Sequence, residues 1–124
     1  MSKILVVDDD LDILSVVEML LTMKGFTVEV ASHGDHVISK AQSFQPDLVL
    51  LDVLISGFDG RNICRQLKSG KQTSHIPVIM FSAHPGAANS ITDYGADDFI
   101  AKPFDVSMLL KKVNSQLESY KNIA

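Results

Sequence analysis

Asp8-Asp9, Asp52, Ser82 and Lys102 each stand where an apolar run ends. The runs are Ile4-Leu5-Val6-Val7, Leu48-Val49-Leu50-Leu51, Val78-Ile79-Met80-Phe81 and Phe99-Ile100-Ala101. Carboxylates offer hard oxygen ligands and a nucleophile, a hydroxyl both donates and accepts, and an ammonium supplies fixed positive charge. Gathered in one place, these groups make a site for a divalent cation and a phosphoryl group. Carboxylates held that close repel and raise one another's pKa unless a cation sits between them. Mg²⁺ suits the set, because it prefers oxygen, keeps several waters and takes only one or two carboxylates, with Mn²⁺ the alternative hard cation. The sequence puts no His or Cys at ligand spacing near these strands, which argues against zinc.

Apolar runs of this length, separated by helical stretches, read as strands of a parallel sheet buried on both faces. The order is strand Lys3–Asp8, a helix capped by Asp9 or Asp10 and stopped near Lys24-Gly25, and strand Phe26–Ala31. A helix over about Asp35–Phe44 turns Val37, Ile38, Ala41 and Phe44 to one side and ends before Pro46. Strand Asp47–Asp52, a turn-rich loop Ile55–Gly60, a helix to about Lys68 and strand Ile76–Ser82 follow. A fourth helix has only about Ala87–Tyr94 to occupy, delayed by His84-Pro85-Gly86 and stopped by Gly95. Strand Asp98–Lys102 comes next, and Asp105 caps a last helix with Val106, Leu109, Leu110, Val113, Leu117 and Tyr120 on one face. Five βα alternations with right-handed crossovers predict a doubly wound, flavodoxin-like five-stranded parallel sheet of order 2-1-3-4-5, with helices on both faces. Ligands of such sheets bind beyond the carboxyl ends of the strands, where the chemically competent residues fall.

The 124 residues fit one domain, expected to span 1–124. With 46% apolar and 21% charged residues, the chain has the balance of a globular protein that needs no disulfide to stand. A net charge of −4 gives no footprint for nucleic acid or an anionic membrane. The single cysteine, Cys64, excludes an internal disulfide and reads as a small core residue. Met1-Ser2-Lys3 runs straight into the first strand, and no apolar stretch approaches membrane-spanning length, so the expected address is the cytoplasm.

Each residue also has an ordinary reading. Asp8-Asp9-Asp10 is a helix-capping turn, Asp52 and Ser82 are polar strand ends, Lys102 is a solvated lysine, and Phe99 is a core residue of the last strand. Pro103 fixes the chain after Lys102, and a cis bond there would aim the lysine inward. Gly70-Lys71 lacks the upstream glycine and following hydroxyl of a P-loop. Asp52-Val53-Leu54 has no second aspartate two residues on, against a phosphatase of the haloacid dehalogenase type. His33, His36, His75 and His84 are scattered.

Taken together, ILVVDD at 4–9, DLVLLD at 47–52, FDG at 58–60, PVIMFSA at 77–83 and GADDFIAKPF at 95–104 resemble the receiver domain of bacterial two-component response regulators. The likeness covers the whole chain, which is similar in extent to the single-domain chemotaxis regulators. It implies that Asp52 is the phosphoacceptor, charged by a histidine kinase or a histidine phosphotransfer protein. It implies that Asp8 and Asp9 are the acidic pair for Mg²⁺, joined by Asp52 and the backbone carbonyl of Leu54. It makes Ser82 the switch hydroxyl, Lys102 the phosphate-binding ammonium and Phe99 the aromatic that changes rotamer as Ser82 moves. The output would be an unidentified partner or an effector domain outside this chain, with the receiver a monomer or a phosphorylation-dependent dimer.

Three features depart from the family pattern. Ser56 stands where the family usually carries proline, the segment from Ser82 to Gly95 is short, and Leu54 and His84 occupy positions that, by the resemblance, flank the pocket and in that family influence aspartyl phosphate hydrolysis. A bulky apolar residue and an imidazole there predict a long-lived phosphoryl state. The rival reading is a receiver fold kept as a constitutive interaction or dimerisation module. A turnover enzyme is not expected, because no second general acid accompanies Asp52.

Overall fold

The computed structural model describes residues 2–55, 58–84, 86 and 91–123, with backbone alone at 91, 92 and 120–123. Among the described residues seven strands and four α-helices follow the order β1 (Lys3–Val7), α1 (Leu11–Met23), β2 (Thr27–Ala31), α2 (Val37–Phe44), β3 (Leu48–Asp52), β4 (Leu54–Ile55), β5 (Phe58–Asp59), α3 (Gly60–Ser69), β6 (Val78–Ser82), β7 (Asp98–Ala101) and α4 (Val106–Ile123). The main sheet is parallel throughout, in the order β2-β1-β3-β6-β7, which is the predicted 2-1-3-4-5 once the small β4–β5 hairpin is set aside.

Successive strand residues face opposite sides, and the apolar runs therefore feed two cores. Leu5, Val7, Leu51 and Met80 pack with Val37 and Ala41 of α2 and with Ile63 and Leu67 of α3. Val6, Leu50, Ile79 and Phe81 pack on the other side with Leu14, Val17 and Leu21 of α1 and with Leu109, Val113 and Leu117 of α4. β3 and β6 are buried at every position, as the unbroken apolar runs predict. β7, at the sheet edge, is only partly covered, with Phe99 half-buried and Ala101 exposed.

The helix ends follow local chemistry. Asp10, rather than Asp9, caps α1, its carboxylate accepting from the N–H groups of Asp12 and Ile13. Gly25, with φ +94°, carries the chain out of that helix in the left-handed region that glycine tolerates. Asp105 accepts from Met108 N–H at 2.7 Å and caps α4 as predicted. The predicted start of the second helix is instead a 3₁₀ turn over Gly34–His36. The predicted fourth helix falls partly outside the described residues, and its last four, Ile91–Tyr94, form a 3₁₀ turn. The predicted loop after Asp52 is a two-stranded antiparallel hairpin, with Leu54 opposite Asp59 and Ile55 opposite Phe58. The Phe58 ring lies over Gly34, where a Cβ would stand 2.6 Å from Phe58 Cδ2. Ser56 lies outside the described residues.

Asp97 locks the edge of the sheet. Its Oδ2 accepts from Lys68 Nζ at 2.7 Å and from Val78 N–H at 2.8 Å, while Lys68 also reaches the Ile76 carbonyl at 2.8 Å. One carboxylate thus ties β6, the approach to β7 and α3 together. Asp97→Ala removes the acceptor for Val78 and the counter-charge for Lys68, and it should cost about 1–3 kcal/mol in denaturant unfolding. Asp97→Asn, which keeps an acceptor, should lose less.

Candidate functional site

Asp8 follows β1 directly and is fully buried. Its backbone N–H donates to Ala31 O at 3.2 Å, and its Oδ1 accepts from Asp10 N–H at 3.0 Å, which fixes the carboxylate. Asp52 ends β3 and is 6% exposed. Asp9 is exposed at the rim. Carboxylate oxygens of Asp8, Asp9 and Asp52 all lie within 4.8 Å of one another. Lys102 bridges two of them, donating from Nζ to Asp8 Oδ2 at 2.8 Å and to Asp52 Oδ2 at 3.2 Å. The same ammonium stands 4.6 Å from the centroid of the Phe81 ring, a cation–π contact in a partly desolvated place.

The β6–β7 ladder brings the lysine there. Lys102 N–H donates to Ser82 O at 2.9 Å, extending the β6–β7 ladder by one step, and the Lys102–Pro103 bond is cis. By the alternation that sorts the cores, Asp52 falls on the α1/α4 side of the sheet with Leu48 and Leu50. Ser82 falls on the α2/α3 side with Val78 and Met80, as does Phe99. Ser82 is buried, and its Oγ accepts from His84 N–H at 3.0 Å. Phe99 packs at the margin of the core while its carbonyl accepts from Lys112 Nζ at 2.6 Å. Leu54 starts β4 with its side chain 51% exposed, and its N–H points to Asp52 Oδ1 at 3.4 Å.

Two contributors were not singled out from the residues. Gly60 opens α3 against the main chain of Asp52, and a Cβ at Gly60 would collide with the Asp52 carbonyl oxygen. Its N–H donates to Val53 O at 2.6 Å, closing the hairpin onto the strand end. The glycine was visible in the FDG motif, but its closeness to Asp52 depends on the hairpin. Phe81 is the other, and only the β3–β6 register, which pairs it with Asp52, brings its ring under Lys102.

Burial and the neighbouring charge of Asp8 push Asp52 up to about 6, against the opposing pull of Lys102. Burial works to lower Lys102, but its hydrogen bond to Asp8 and the charges of Asp52 and Asp8 prevail and raise it. The pocket holds more negative than positive charge and consists of hard oxygen donors at a partly open rim. That donor set fits Mg²⁺ or Mn²⁺ and offers nothing to a soft metal.

The response regulator receiver domain model matches residues 4–114, and the chain belongs to that family. Response regulators are signalling proteins of two-component systems. The chain is 38% identical over 119 residues to the DNA-binding dual master transcriptional regulator RpaA of Synechocystis, covering 94% of this chain and 49% of that protein. It is 39% identical over 116 residues to the response regulator PleD of Caulobacter vibrioides, covering 92% of this chain and 26% of that one. The chain thus spans half or less of the length of these curated relatives. A CheY-like receiver domain protein from Methanospirillum hungatei superposes with a TM-score of 0.93 at 26% identity, covering 100% of this chain and 99% of that one. The BeF₃-activated receiver domain of Klebsiella pneumoniae RstA superposes at 0.84 with 30% identity, covering 93% and 97% respectively. Among the described residues no helix is long and apolar enough to cross a membrane.

The raised Asp52 pKa has a signed consequence. Between its unfolded value of 3.8 and about 6 the folded protein holds a proton that the unfolded chain has lost, so this group's contribution falls as pH rises through that window. Asp52→Asn has no proton to gain or lose there. Without divalent cations, the variant's stability advantage over the parent should grow by about 1–3 kcal/mol from pH 4 to pH 6.5 and then level off. Chemical unfolding of both proteins across that range measures it, and a pH-independent difference would contradict the assignment.

Proposed function

We propose that this chain, residues 1–124, is a receiver unit that works as a phosphorylation-controlled switch of a two-component system or phosphorelay, with Asp52 as the phosphoacceptor. The observation that carries the reading is the single ammonium of Lys102 bridging the buried carboxylates of Asp8 and Asp52, with Asp9 beside them.

In the forward step an Asp52 carboxylate oxygen attacks the phosphorus of a phosphohistidine on a histidine kinase or phosphotransfer protein. The new bond is P–O, the P–N bond breaks, and the imidazole departs with its electron pair and takes up a proton. This transfer needs little beyond positioning and charge neutralisation. Mg²⁺ or Mn²⁺, held by Asp8, Asp9, Asp52 and the backbone carbonyl of Leu54, would supply positive charge against the phosphoryl oxygens. Lys102 neutralises another oxygen, its ring contact with Phe81 limiting where the ammonium can go. The Ser82 oxygen already accepts from His84, which leaves its own proton to donate to a third oxygen.

Phosphorylation replaces one carboxylate by a group of about −2 charge with strong acceptor oxygens. Drawing Ser82 toward that group vacates space on the α2/α3 side of the sheet, where Phe99 changes rotamer. The surface built by β6, the turn at 91–94 and β7 then presents its second packing to an output protein or to an effector domain outside this chain. The reading implies a cytoplasmic address and a monomer, or a dimer formed on phosphorylation.

Intact mass after incubation with Mg²⁺ and acetyl phosphate tests the assignment. One added phosphoryl group is expected, absent from Asp52→Asn and absent with a chelator. If neither acetyl phosphate nor beryllofluoride modifies or binds the pocket, the domain is a constitutive interaction module. The same mass measurement over time reads the phosphoryl lifetime. Leu54 and His84 are both exposed beside the pocket, where they hinder the attacking water, and the lifetime should be minutes or longer. Decay within seconds in Mg²⁺ would refute that part, and Leu54→Asn should shorten whatever lifetime is found.

A further inference from the structure

The Lys102 ammonium has an attachment to Asp52 and two others that do not involve Asp52. It donates to Asp52 Oδ2 at 3.2 Å and to Asp8 Oδ2 at 2.8 Å, and it stands over the Phe81 ring, 4.6 Å from the centroid. Asp8 is fully buried and Phe81 is 3% exposed, so both of these partners sit in fixed surroundings. Cross-strand register sets Phe81 beside Asp52, and strand alternation turns both side chains to the α1/α4 side of the sheet.

The ring is itself held. Phe104 meets it edge to face, with 6.4 Å between centroids and 89° between planes. Leu50 and Ile100 from the flanking strands and Val17 and Leu109 from α1 and α4 close around it. The void left among these apolar side chains is about 10 Å³, at the lower limit for a single water, which leaves the ring little room to turn. An aliphatic side chain would serve equally as core here. What phenylalanine adds is the negative charge of its face, turned to an ammonium that is partly out of water.

We propose that Phe81 is a positioning residue for phosphoryl capture: with Asp8, it seats the Lys102 ammonium beside Asp52 before the phosphoryl group arrives. This role rests on the phosphoryl-transfer reading above and specifies what prepares the lysine for it. A long lysine side chain loses rotamer freedom when it is fixed. Where that loss is already taken in the resting fold, it does not weigh against the bound state. The bond to Asp52 is the longer of the two carboxylate bonds, and it is the one that modification of Asp52 must change. Asp8 and the ring stay in place, so the ammonium passes from a carboxylate oxygen to a phosphoryl oxygen without leaving its seat.

Fluorinated phenylalanines at position 81 separate this role from core packing, because fluorine drains the ring face of negative charge and nearly preserves the ring's shape. Beryllofluoride in the presence of Mg²⁺ is the probe, titrated by NMR against the parent and its monofluoro, difluoro and trifluoro forms. Affinity should fall stepwise along the series, and Phe81→Leu should lower it by about three- to tenfold. Phe104→Leu, which loosens the ring without removing it, should lower it by less. In the same protein without beryllofluoride, the ring current should shift the Lys102 side-chain methylene protons upfield of those of exposed Lys24 and Lys71. Phe81→Leu should abolish that shift, and circular-dichroism melts check that each variant stays folded. An affinity indifferent to fluorination, in a parent that binds beryllofluoride, overturns the positioning role and leaves Asp52 standing as the acceptor. Lys102 protons with no upfield shift overturn it as well, since the ring then does not hold the ammonium. A parent that binds no beryllofluoride refutes the phosphoryl-transfer reading itself, and the positioning role falls with it even where the upfield shift is present.

Discussion

The ammonium of Lys102 between the carboxylates of Asp8 and Asp52 is the constraint on which the rest of the pocket depends. Three charges taken largely out of water are tolerable only if each has partners in good geometry. That requirement reaches back into the whole sheet. β1 must end one residue before Asp8, β3 must end on Asp52, and β7 must deliver Lys102 one step past its last pair. A slip of one residue in β3 would turn Asp52 to the opposite face and strand the lysine. The fully buried apolar runs forbid such a slip, because every leucine and valine in them would have to exchange cores at a cost of roughly 1.5–3 kcal/mol for each large side chain exposed. Hydrophobic burial thus holds an electrostatic arrangement that would not hold itself together.

That arrangement is not electrically at rest. One ammonium faces two buried carboxylates and a third at the rim, and burial together with the neighbouring charge of Asp8 raises the Asp52 pKa against the pull of Lys102. Such a pocket gains from a proton at acidic pH or from a hard divalent cation near neutrality, and the two compete for the same oxygens. The rigid surround keeps the carboxylates from moving apart to relieve the repulsion. Asp8 is tied through Asp10 N–H, and Asp52 sits between the Val53–Phe81 backbone bond and Gly60 pressed against its own carbonyl. A side chain at Gly60 would break that confinement, which explains why glycine begins a helix it would otherwise weaken.

Much of this was legible in the sequence, for identifiable reasons. Strands buried on both faces leave unbroken apolar runs, and the polar residue ending each run marks the end of the sheet where ligands bind. That is why Asp8, Asp9, Asp52 and Lys102 could be expected together before any coordinates. What escaped was set by contacts distant in sequence. β4 and β5 have two residues each and no periodicity to read, and the Phe58 ring over Gly34 supplies a long-range anchor instead. The ring of Phe81 read only as core, because its place under Lys102 follows from cross-strand register. The lock at Asp97 left no local mark, because its partners Lys68 and Val78 lie 29 and 19 residues away. Ile91–Tyr94 as a 3₁₀ turn reflects the shortage of helix formers before Gly95, which the composition did indicate.

The sheet also divides the pocket in a way that bears on signalling. Asp52 lies on the α1/α4 side, while Ser82 and Phe99 lie on the α2/α3 side. A group attached to Asp52 and held by both Lys102 and Ser82 must therefore reach across the end of the sheet, drawing the two sides together. α3 links the hairpin after Asp52 to the turn beyond β6. Its capping residue Asp59, in the hairpin that Asp52 leads into, chelates Arg61 with bonds of 3.0 and 2.8 Å. Arg61 and Arg65 in turn stand 5.5 and 4.4 Å from the ring centroid of Tyr94, in the turn beyond β6. Each ring contact is worth about 0.5–1 kcal/mol at an accessible site, less than the roughly 1.5–3 kcal/mol of a hydrogen bond to a charged group. New charge-assisted bonds at Asp52 would outweigh these contacts, so the hairpin and the 91–94 turn can change their relation through α3 while both cores stay packed.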